Sequence, residues 1–457
     1  MAECDVSVLT SVVSDVTAVI SDIDGTLAHY AKTLKKVGYE RLESEPPLWR
    51  QDDKRHEDEV DRLLWDCYPQ SFRNERFASL PYQYWRHTVS GRVVKAYELY
   101  NFSLAGAIIS ENTILLMELL QCKSSLYSGL EVSTVYHQSS SAVACKPVVC
   151  CLITGARTST FIRRRHGGSL PQTAFESCEG GSKLWCRLLN SSEWFKDDAN
   201  EGPGSAKAGN NSFFYPPQAK DVPMDVEWTN KFSGVTGFRA DKSDEENKHL
   251  RESKRTIWNL EAELNKAGFA TDHNSYDTSF LIDIPNSPCV RSSPSHKASN
   301  AAGYLLSFDD AVEAEKYVVS QFRETYNDLF GVELFVNLGK GQVNASGGGK
   351  RGVMLHVLDK SAEMDSQANN AGELDGKRFS VEHTVALFDD ENDLQFAELC
   401  GAGILPSVAH EEVLSHEQWR CDPRERRWFR PPVEGLLGSE WALKQVILFK
   451  RQGAVVH

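Results

Sequence analysis

The segment that most constrains the fold is a short apolar run near the amino terminus that ends in two aspartates. Val16 to Ile20 reads V-T-A-V-I, a continuous stretch rich in β-branched residues, and D-I-D-G-T follows from Asp22 to Thr26. A run without polar alternation predicts a strand that is buried on both faces, as in a parallel sheet covered by helices. Gly25 then allows the chain to turn sharply. The sequence therefore predicts an α/β sheet with two carboxylates at the end of one strand.

Strands and helices alternate at two other places in the chain. Ser110 is a candidate N-cap for a helix that runs to Gln121, and a buried strand is predicted from Val148 to Ile153, with a helix from Thr158 to Arg165 after it. The pattern resumes later with three predicted elements: a helix from Gly352 to Leu358, a strand from Thr384 to Phe388 and a helix from Leu394 to Cys400. This alternation predicts a doubly wound parallel sheet with crossover helices.

The region between these two parts differs in composition and predicts a second domain. Asn, Ser, Gly and Pro are concentrated at 196–224 and 284–303, around a charged helix predicted from Asp241 to Lys266. Strands are predicted at Lys183–Leu189, Thr278–Asp283 and Val332–Leu338. We therefore predict a discontinuous α/β core, formed by residues 1–165 and 340–457, with an α+β cap domain inserted at 166–339.

Residues 31–105 fit neither domain. They are helix-prone and rich in charges and aromatic side chains, and they begin only a few residues after Asp22. We predict a helical insertion after the first strand, which is either a lid or buttress beside the cap or an appendage on the outer surface. Most of its aromatic residues are interpreted as core. The Ser-rich stretch from Lys123 to Ala144 is predicted to be a surface loop.

The composition limits the classes of partner. The formal charge of −14 repels nucleic acids and anionic membranes, so neither is expected as a partner. An acidic protein that acts on an anionic substrate must cancel charge locally, with a metal or with placed Lys and Arg.

No apolar run approaches the roughly 20 residues of a bilayer span, and the first 31 residues contain no Lys or Arg. Eleven cysteines without a CxxC pair do not indicate a disulfide framework. A cytoplasmic protein is expected.

The two aspartates after the first strand are candidates for chemistry. In extended chain, residues i and i+2 point the same way, so Asp22 and Asp24 can face one pocket. Two neighbouring carboxylates repel each other unless a cation lies between them or they share a proton. An acidic turn at a strand end fits the same residues.

Three further segments favour the catalytic interpretation. Thr154-Gly155 ends the second buried strand and offers a hydroxyl and turn amides to phosphate oxygens. Lys350 opens the helix that resumes the core, and Asp389 to Asp393 places hard oxygen ligands after another strand. Arg163 to His166, by contrast, is interpreted as a solvated basic helix end rather than as a phosphate or nucleic-acid patch.

In this order, D-x-D-G-T, T-G at a strand end, Lys before a helix and D-x-x-N-D resemble the four motifs of haloacid-dehalogenase-like (HAD) phosphatases. The block between the second and third motifs resembles the α/β-capped subclass, which includes sucrose-phosphate phosphatase, other sugar phosphatases and phosphomannomutase. The resemblance implies that Asp22 attacks phosphorus and becomes an aspartyl phosphate. It implies that Asp24 protonates the leaving alkoxide and then activates water, while Thr154 and Lys350 hold the phosphoryl oxygens.

The resemblance also implies a metal and a substrate class. Mg²⁺ would be bound by the Asp22 carboxylate, the Asp24 backbone carbonyl and Asp389, with Asp393 supporting its waters. Gly155 would contact the substrate's phosphate, and Asn392 would reach the phosphate or Asp22. The expected activity is hydrolysis of a small phosphorylated metabolite, a sugar phosphate. The alternatives are a phosphomutase of the phosphomannomutase type and a non-catalytic binding protein on the same scaffold. The sequence does not define the substrate or the oligomeric state.

Three positions depart from the family pattern. Ala156 stands before Arg157, where the family has T-G-R, and Phe388 stands where the fourth motif usually begins with Gly. Arg351 separates Lys350 from Gly352, so either cation could belong to the third motif. Lys350 is favoured because a compact ammonium suits a point contact.

Overall fold

The computed structural model describes residues 13, 15–46, 58–100, 106–121, 148–187, 222–253, 256–298, 304–337, 339–368, 379–408, 411–422 and 425–453. The predicted loop from Lys123 to Ala144 lies outside these residues. Across the described ranges, no helix combines the length and the apolar character that crossing a membrane requires.

The described residues form sixteen strands and fifteen α-helices. The strands are β1 (Ala18–Asp22), β2 (Ala28–Tyr30), β3 (Tyr39–Leu42), β4 (Tyr82–His87), β5 (Val93–Leu99), β6 (Ala107–Ser110), β7 (Val149–Ile153), β8 (Phe175–Cys178), β9 (Lys183–Cys186), β10 (Ala270–Asp272), β11 (Phe280–Asp283), β12 (Val332–Asn337), β13 (Lys340–Ala345), β14 (Thr384–Leu387), β15 (Ala402–Ile404) and β16 (Trp428–Phe429). The helices are α1 (Ala31–Lys36), α2 (Glu59–Cys67), α3 (Gln70–Arg76), α4 (Glu111–Leu120), α5 (Thr158–His166), α6 (Val226–Lys231), α7 (Ser233–Thr236), α8 (Asp244–Ser253), α9 (Ile257–Ala267), α10 (Pro294–Ala298), α11 (Ala311–Gln321), α12 (Asn327–Phe330), α13 (Lys350–Ala368), α14 (Leu394–Ala397) and α15 (Leu436–Gly453).

The core is a seven-stranded sheet in the order β16-β15-β14-β1-β7-β8-β9. All neighbours are parallel except β9, which runs antiparallel to β8. Val19 of β1 packs into the apolar cluster on one face of the sheet, and Ile20 packs into the cluster on the other face. A strand covered on both faces explains why the sequence is continuously apolar here. The predicted α/β parallel core is confirmed.

The inserted α+β unit is also present, but its bounds differ from the predicted 166–339. It excludes β8 and β9, and it includes β13, which the prediction assigned to the core. It contains the antiparallel sheet β10-β11-β13-β12, whose apolar side chains share a core with α9 and α11. The prediction that Lys183–Leu189 is a cap strand is wrong. Strand β8 pairs with β7, and β9 pairs with β8, which extends the core sheet past residue 165.

The predicted helical insertion at 31–105 is instead built around a β-sheet. Strands β2-β6-β5-β4-β3 form a five-stranded antiparallel sheet, accompanied by α1, α2 and α3. Trp85 and Ala96 pack with Leu436 of α15 on one face of this sheet, whereas Tyr97 and Leu99 belong to the main core cluster. Pairing with distant partners has overridden the local helical preference. The insertion therefore shares its core with the main domain.

Candidate active site

A glycine and a threonine bring the loops that follow β1 and β14 into direct contact. Gly25 has a φ of +99°, and a Cβ atom built on it would lie 1.9 Å from Oδ2 of Asp389. Only glycine permits both this backbone conformation and this close approach. Thr26 Oγ1 donates a hydrogen bond of 2.8 Å to Asp389 Oδ1. The parallel pairing of β1 with β14 brings these two strand ends together.

Three carboxylates meet at this edge of the sheet. Ligand oxygens of Asp22, Asp389 and Asp393 all lie within 4.8 Å of one another, and all three residues are buried. The Asp389 backbone N–H donates to Asp393 Oδ2 at 3.3 Å. Mg²⁺ binds oxygen ligands at about 2.0–2.1 Å, so two oxygens on one ion are separated by at most about 4 Å. The all-oxygen donor set therefore suits a small divalent cation, and the oxygens lie near the spacing that one ion requires.

Lys350 places an ammonium group against this cluster. Its Nζ lies 2.7 Å from Asp22 Oδ1 and 2.5 Å from Asp393 Oδ1. Arg351 is exposed and lines a separate groove with Glu333 and His356. The helix α13 thus directs the first of the two adjacent cations to the site, in agreement with the preferred alignment of the third motif.

The electrostatics of the cluster favour an additional cation. Burial raises the pKa of Asp22 well above its ordinary value, although Lys350 opposes the shift, and Asp393 raises it further. Burial and the neighbouring Asp390 likewise raise the pKa of Asp389. For Lys350, burial would lower the pKa, but Asp22 and Asp393 raise it well above its usual value. One buried ammonium does not compensate this many carboxylates, and a divalent cation would relieve their repulsion.

The Asp24 carboxylate lies outside this cluster and has different partners. Arg164 donates to it through both terminal nitrogens, with distances of 2.7 Å to Oδ2 and 3.0 Å to Oδ1. Thr154 Oγ1 donates to Asp24 Oδ2 at 3.3 Å, and the Tyr30 hydroxyl donates to Oδ1 at 3.4 Å. The Asp24 carboxylate is thus engaged by other residues than the carboxylate cluster. This is consistent with the expectation that Asp24 would contact a metal through its backbone carbonyl rather than its side chain.

The prediction that Arg163 to His166 forms a solvated helix end is wrong for two of its residues. Arg164 is 1% exposed and Arg165 is 5% exposed, and Arg165 pairs with Glu176. Only tertiary packing reveals this, because a basic run at a helix end is most often solvated. Arg163 is exposed, as expected.

A cavity of about 560 Å³ lies between the core and the cap. Seven of the eight predicted site residues line it, and Asp393 lies buried behind them. The lining from the core includes Asp22, Asp24, Thr154, Gly155, Lys350, Asp389 and Asn392, together with Tyr30, Thr33 and Arg164. The lining from the cap comprises Tyr276, Leu281, Phe335, Lys340, Gln342 and Asn344. Sequence reasoning missed Tyr30, Arg164 and these cap residues.

The cap lies directly on the predicted phosphate-binding loop. A Cβ atom on Gly155 would lie 2.9 Å from Gln342 Oε1, so glycine permits the close approach of β13. Asn392 donates from its side chain to Asp390 Oδ2 at 3.1 Å. The Asn392 Oδ1 atom is buried without a hydrogen-bond partner among the described residues. A substrate hydroxyl could supply a donor to this oxygen.

The remaining departures from the family pattern are accommodated locally. The Phe388 ring is fully buried and packs 4.8 Å from the ring of Trp428. Gly403 provides the space, because a Cβ atom there would lie 2.9 Å from the Phe388 ring. Arg157, which follows Ala156, reaches the cap, where it pairs with Asp272 and donates to the Asn274 carbonyl at 2.8 Å.

Glu179 fastens the cap to the core. It follows β8 with a φ of 52°, and its buried carboxylate accepts from the Thr278 backbone N–H at 2.7 Å and from the Thr278 hydroxyl at 2.5 Å. It also accepts from the Asp277 backbone N–H at 3.0 Å and from Thr158 of α5. Lys183 of β9 pairs with the Asp277 carboxylate. No sequence motif marks this junction.

Several solved structures are similar to this chain at low identity. Sucrose-phosphatase from Synechocystis sp. PCC6803 is 12% identical with a TM-score of 0.36, over 66% of this chain and 84% of that one. Trehalose-6-phosphate phosphatase from Aspergillus fumigatus is 9% identical with a TM-score of 0.36, over 99% of each chain. A haloacid dehalogenase-like hydrolase from B. subtilis is 10% identical with a TM-score of 0.28, over 59% of this chain and 80% of that one. These values are too low to assign an activity to this chain.

No protein-family model matches the chain, and no curated protein sequence matches it.

Proposed function

We propose that this protein is a Mg²⁺-dependent phosphomonoesterase of the HAD type. The observation that carries the proposal is the buried cluster of Asp22, Asp389 and Asp393, with the Lys350 ammonium in contact with two of the three. The cluster opens into a cavity that Asp24 and Thr154 also line. Carboxylates, a cation and a hydroxyl around one cavity match the needs of phosphoryl transfer, which depends mainly on positioning and charge stabilisation.

In the first step, an Asp22 carboxylate oxygen attacks phosphorus and the bond from phosphorus to the ester oxygen breaks. Asp24 in its protonated form gives its proton to the leaving alkoxide, and an aspartyl phosphate remains on Asp22. Lys350 and the Thr154 hydroxyl stabilise the charge on the phosphoryl oxygens. Mg²⁺, held by Asp22, Asp389 and the Asp24 carbonyl with support from Asp393, would neutralise further phosphoryl charge when bound.

In the second step, water attacks the phosphorus of the aspartyl phosphate. The Asp24 carboxylate takes a proton from that water, the acyl phosphate bond breaks, and Asp22 is regenerated with release of inorganic phosphate. Gly155 and Asn392 line the same cavity, and in the proposed mechanism they contact the phosphoryl group.

The proposed substrate is a small hydroxylated phosphate ester, a sugar phosphate. The cavity of about 560 Å³ has the size of a small-molecule site. Its outer wall carries hydrogen-bonding groups on the cap, including Gln342, Asn344 and Tyr276. Such groups suit a ring that bears several hydroxyls better than an apolar substituent. A panel of phosphorylated sugars, nucleotides and amino acids, assayed for released phosphate, tests this specificity.

The nucleophile is tested by the substitution Asp22→Asn. We expect Mg²⁺-dependent phosphate release to fall by more than about a hundredfold, which corresponds to about 2.7 kcal/mol of barrier, because an amide does not attack phosphorus. The exposed aspartate Asp328 provides a matched control, and Asp328→Asn should retain full activity. Activity of Asp22→Asn within a hundredfold of the wild type would contradict the proposal.

A further inference from the structure

The Asp24 carboxylate is held by an arginine that lies outside the recognised motifs. Arg164 stands in the last turn of α5 and reaches Asp24 with two hydrogen bonds, of 2.7 and 3.0 Å. The planar guanidinium matches both carboxylate oxygens, so this pair fixes the orientation of the carboxyl group. Arg164 is 1% exposed, so solvent does not compete for the contact.

Arg164 is itself fixed by the insertion. Its Nε donates to the Tyr100 backbone carbonyl at 2.7 Å, at the point where β5 ends. All three nitrogen positions of the guanidinium are therefore used, two on Asp24 and one on Tyr100. The edge strand β2 of the same sheet also reaches this site, because its Tyr30 donates to Asp24 Oδ1 at 3.4 Å.

We propose that Arg164 is a positioning residue, which holds the Asp24 side chain in the orientation from which it transfers protons. The inference rests on the proposed function, in which Asp24 serves first as acid and then as base. Proton transfer needs a short, aligned contact, and a small displacement of a catalytic group lowers its rate steeply. The substitution Arg164→Lys keeps the positive charge but loses the bidentate hydrogen bonding to Asp24. It therefore distinguishes the effect of carboxylate orientation from the effect of the positive charge.

The test compares two leaving groups in pre-steady-state kinetics at saturating Mg²⁺. The 4-nitrophenolate ion leaves without protonation, whereas the alkoxide of an alkyl phosphate requires the proton of Asp24. With Arg164→Lys, we expect a 4-nitrophenol burst within about threefold of the wild-type rate, followed by slow turnover, because base catalysis of the second step is impaired. For an alkyl phosphate, we expect kcat to fall by at least about thirtyfold with KM within about twofold, since general acid catalysis contributes about 10²–10⁴.

Arg163→Lys is the matched control. Arg163 lies on the same helix and its guanidinium stacks 4.7 Å from the Tyr100 ring, but it is exposed. We expect this variant to behave as the wild type with both substrates. If Arg164→Lys does not fold, Tyr30→Phe removes one hydroxyl contact to Asp24 and should give the same pattern at about three- to tenfold. A crystal structure of the Arg164→Lys variant should also show the Asp24 carboxylate rotated from its present position.

Several outcomes would overturn the inference. A burst that slows as much as alkyl phosphate turnover would mean that Arg164 acts on phosphoryl transfer itself. A raised KM with unchanged kcat would make it a substrate ligand, and wild-type kinetics would make the contact dispensable. Failure of the proposed function appears elsewhere: in a wild-type protein without Mg²⁺-dependent activity, or in an active Asp22→Asn, and either result would remove the inference as well.

Discussion

At the scale of single residues, the site depends on which of two adjacent cations faces the carboxylates. Lys350 contacts Asp22 and Asp393, whereas Arg351, the next residue in the first turn of α13, is exposed and lines another groove. Successive helical positions are about 100° apart, so only one of the two can point into the site. The three-dimensional arrangement therefore places Lys350, and not Arg351, against the carboxylates, where spacing alone left two candidates.

This difference yields a prediction for a pair of neighbouring substitutions. Lys350→Met should lower kcat by more than about a hundredfold, because the phosphoryl oxygens lose a charge partner and three buried carboxylates lose their ammonium. Arg351→Met should keep kcat within about twofold of the wild type. Steady-state phosphate release measures both. Equal losses in the two variants would show that the helix presents its cations differently from the arrangement described here.

The site residues that were predicted are marked by a local sequence pattern, whereas those that were missed depend on tertiary packing. Asp22, Asp24, Thr154 and Asp389 each follow a recognisable strand, so their place at the sheet edge could be predicted from local pattern. Arg164 lies in a basic run whose commonest explanation is solvation, and no local signal distinguishes it from its exposed neighbour. Its role depends on which residues of β5 and β1 pack beside α5.

At the scale of elements, the cavity depends on how the cap is fastened to the core. Glu179 accepts hydrogen bonds from backbone and side-chain donors of Asp277 and Thr278, while β13 carries Gln342 and Asn344 to the cavity wall. A carboxylate accepts all of these bonds without an opposing donor. The turn after β8 thereby sets the distance between the cap sheet and the loop at Thr154 and Gly155.

Replacing the Glu179 carboxylate by an amide should weaken the attachment of the cap to the core without changing the residues proposed to carry out catalysis. Glu179→Gln directs an amide N–H at donors, and we expect KM to rise by about three- to tenfold while kcat changes less. Glu261→Gln is the control, because Glu261 is also buried but contacts Thr271 and His273 within the cap. Michaelis kinetics with the best sugar phosphate measure the difference. A similar KM in both variants would argue against a role for Glu179 in holding the cap.

The insertion is a second element whose relation to the site is now defined. Thr33 of α1 lines the cavity, and Tyr100 holds Arg164. Tyr97 and Leu99 belong to the main apolar cluster, so removing the insertion would expose that cluster. The segment is therefore placed at the pocket and not only on the outer surface. That it narrows access to small substrates stays a prediction.

At the scale of the whole molecule, the charge balance and the buried acids lead us to expect that a bound cation stabilises the folded state. The chain carries a formal charge of −14, and Asp22 and Asp389 are buried with raised pKa values, chiefly because of desolvation. Burying several carboxylates side by side costs free energy that a bound cation offsets. An ion that binds only the native state stabilises it by mass action.

Mg²⁺ should therefore raise the thermal midpoint of the wild type. At a hundred times its dissociation constant, the expected stabilisation is about 2.7 kcal/mol. Asp389→Asn should abolish the shift, and without Mg²⁺ its midpoint should exceed that of the wild type, because one of the repelling charges is gone. Asp359→Asn, at an exposed position outside this site, should keep the shift. Calorimetry with and without Mg²⁺ measures all three, and an undiminished shift in Asp389→Asn would place the cation elsewhere.

The sequence by itself determined the parallel core, the presence of an inserted α+β unit and eight candidate site residues. The reason is that short local segments indicate these features: apolar runs of strand length, a glycine after the second aspartate and polar residues at strand ends. Only the tertiary structure decided that 31–105 contains an antiparallel sheet, that β8 and β9 join the core, and that Arg164 is buried on Asp24. Each of these depends on pairing between residues far apart in the chain, and such contacts leave no periodic signal in the segments that make them.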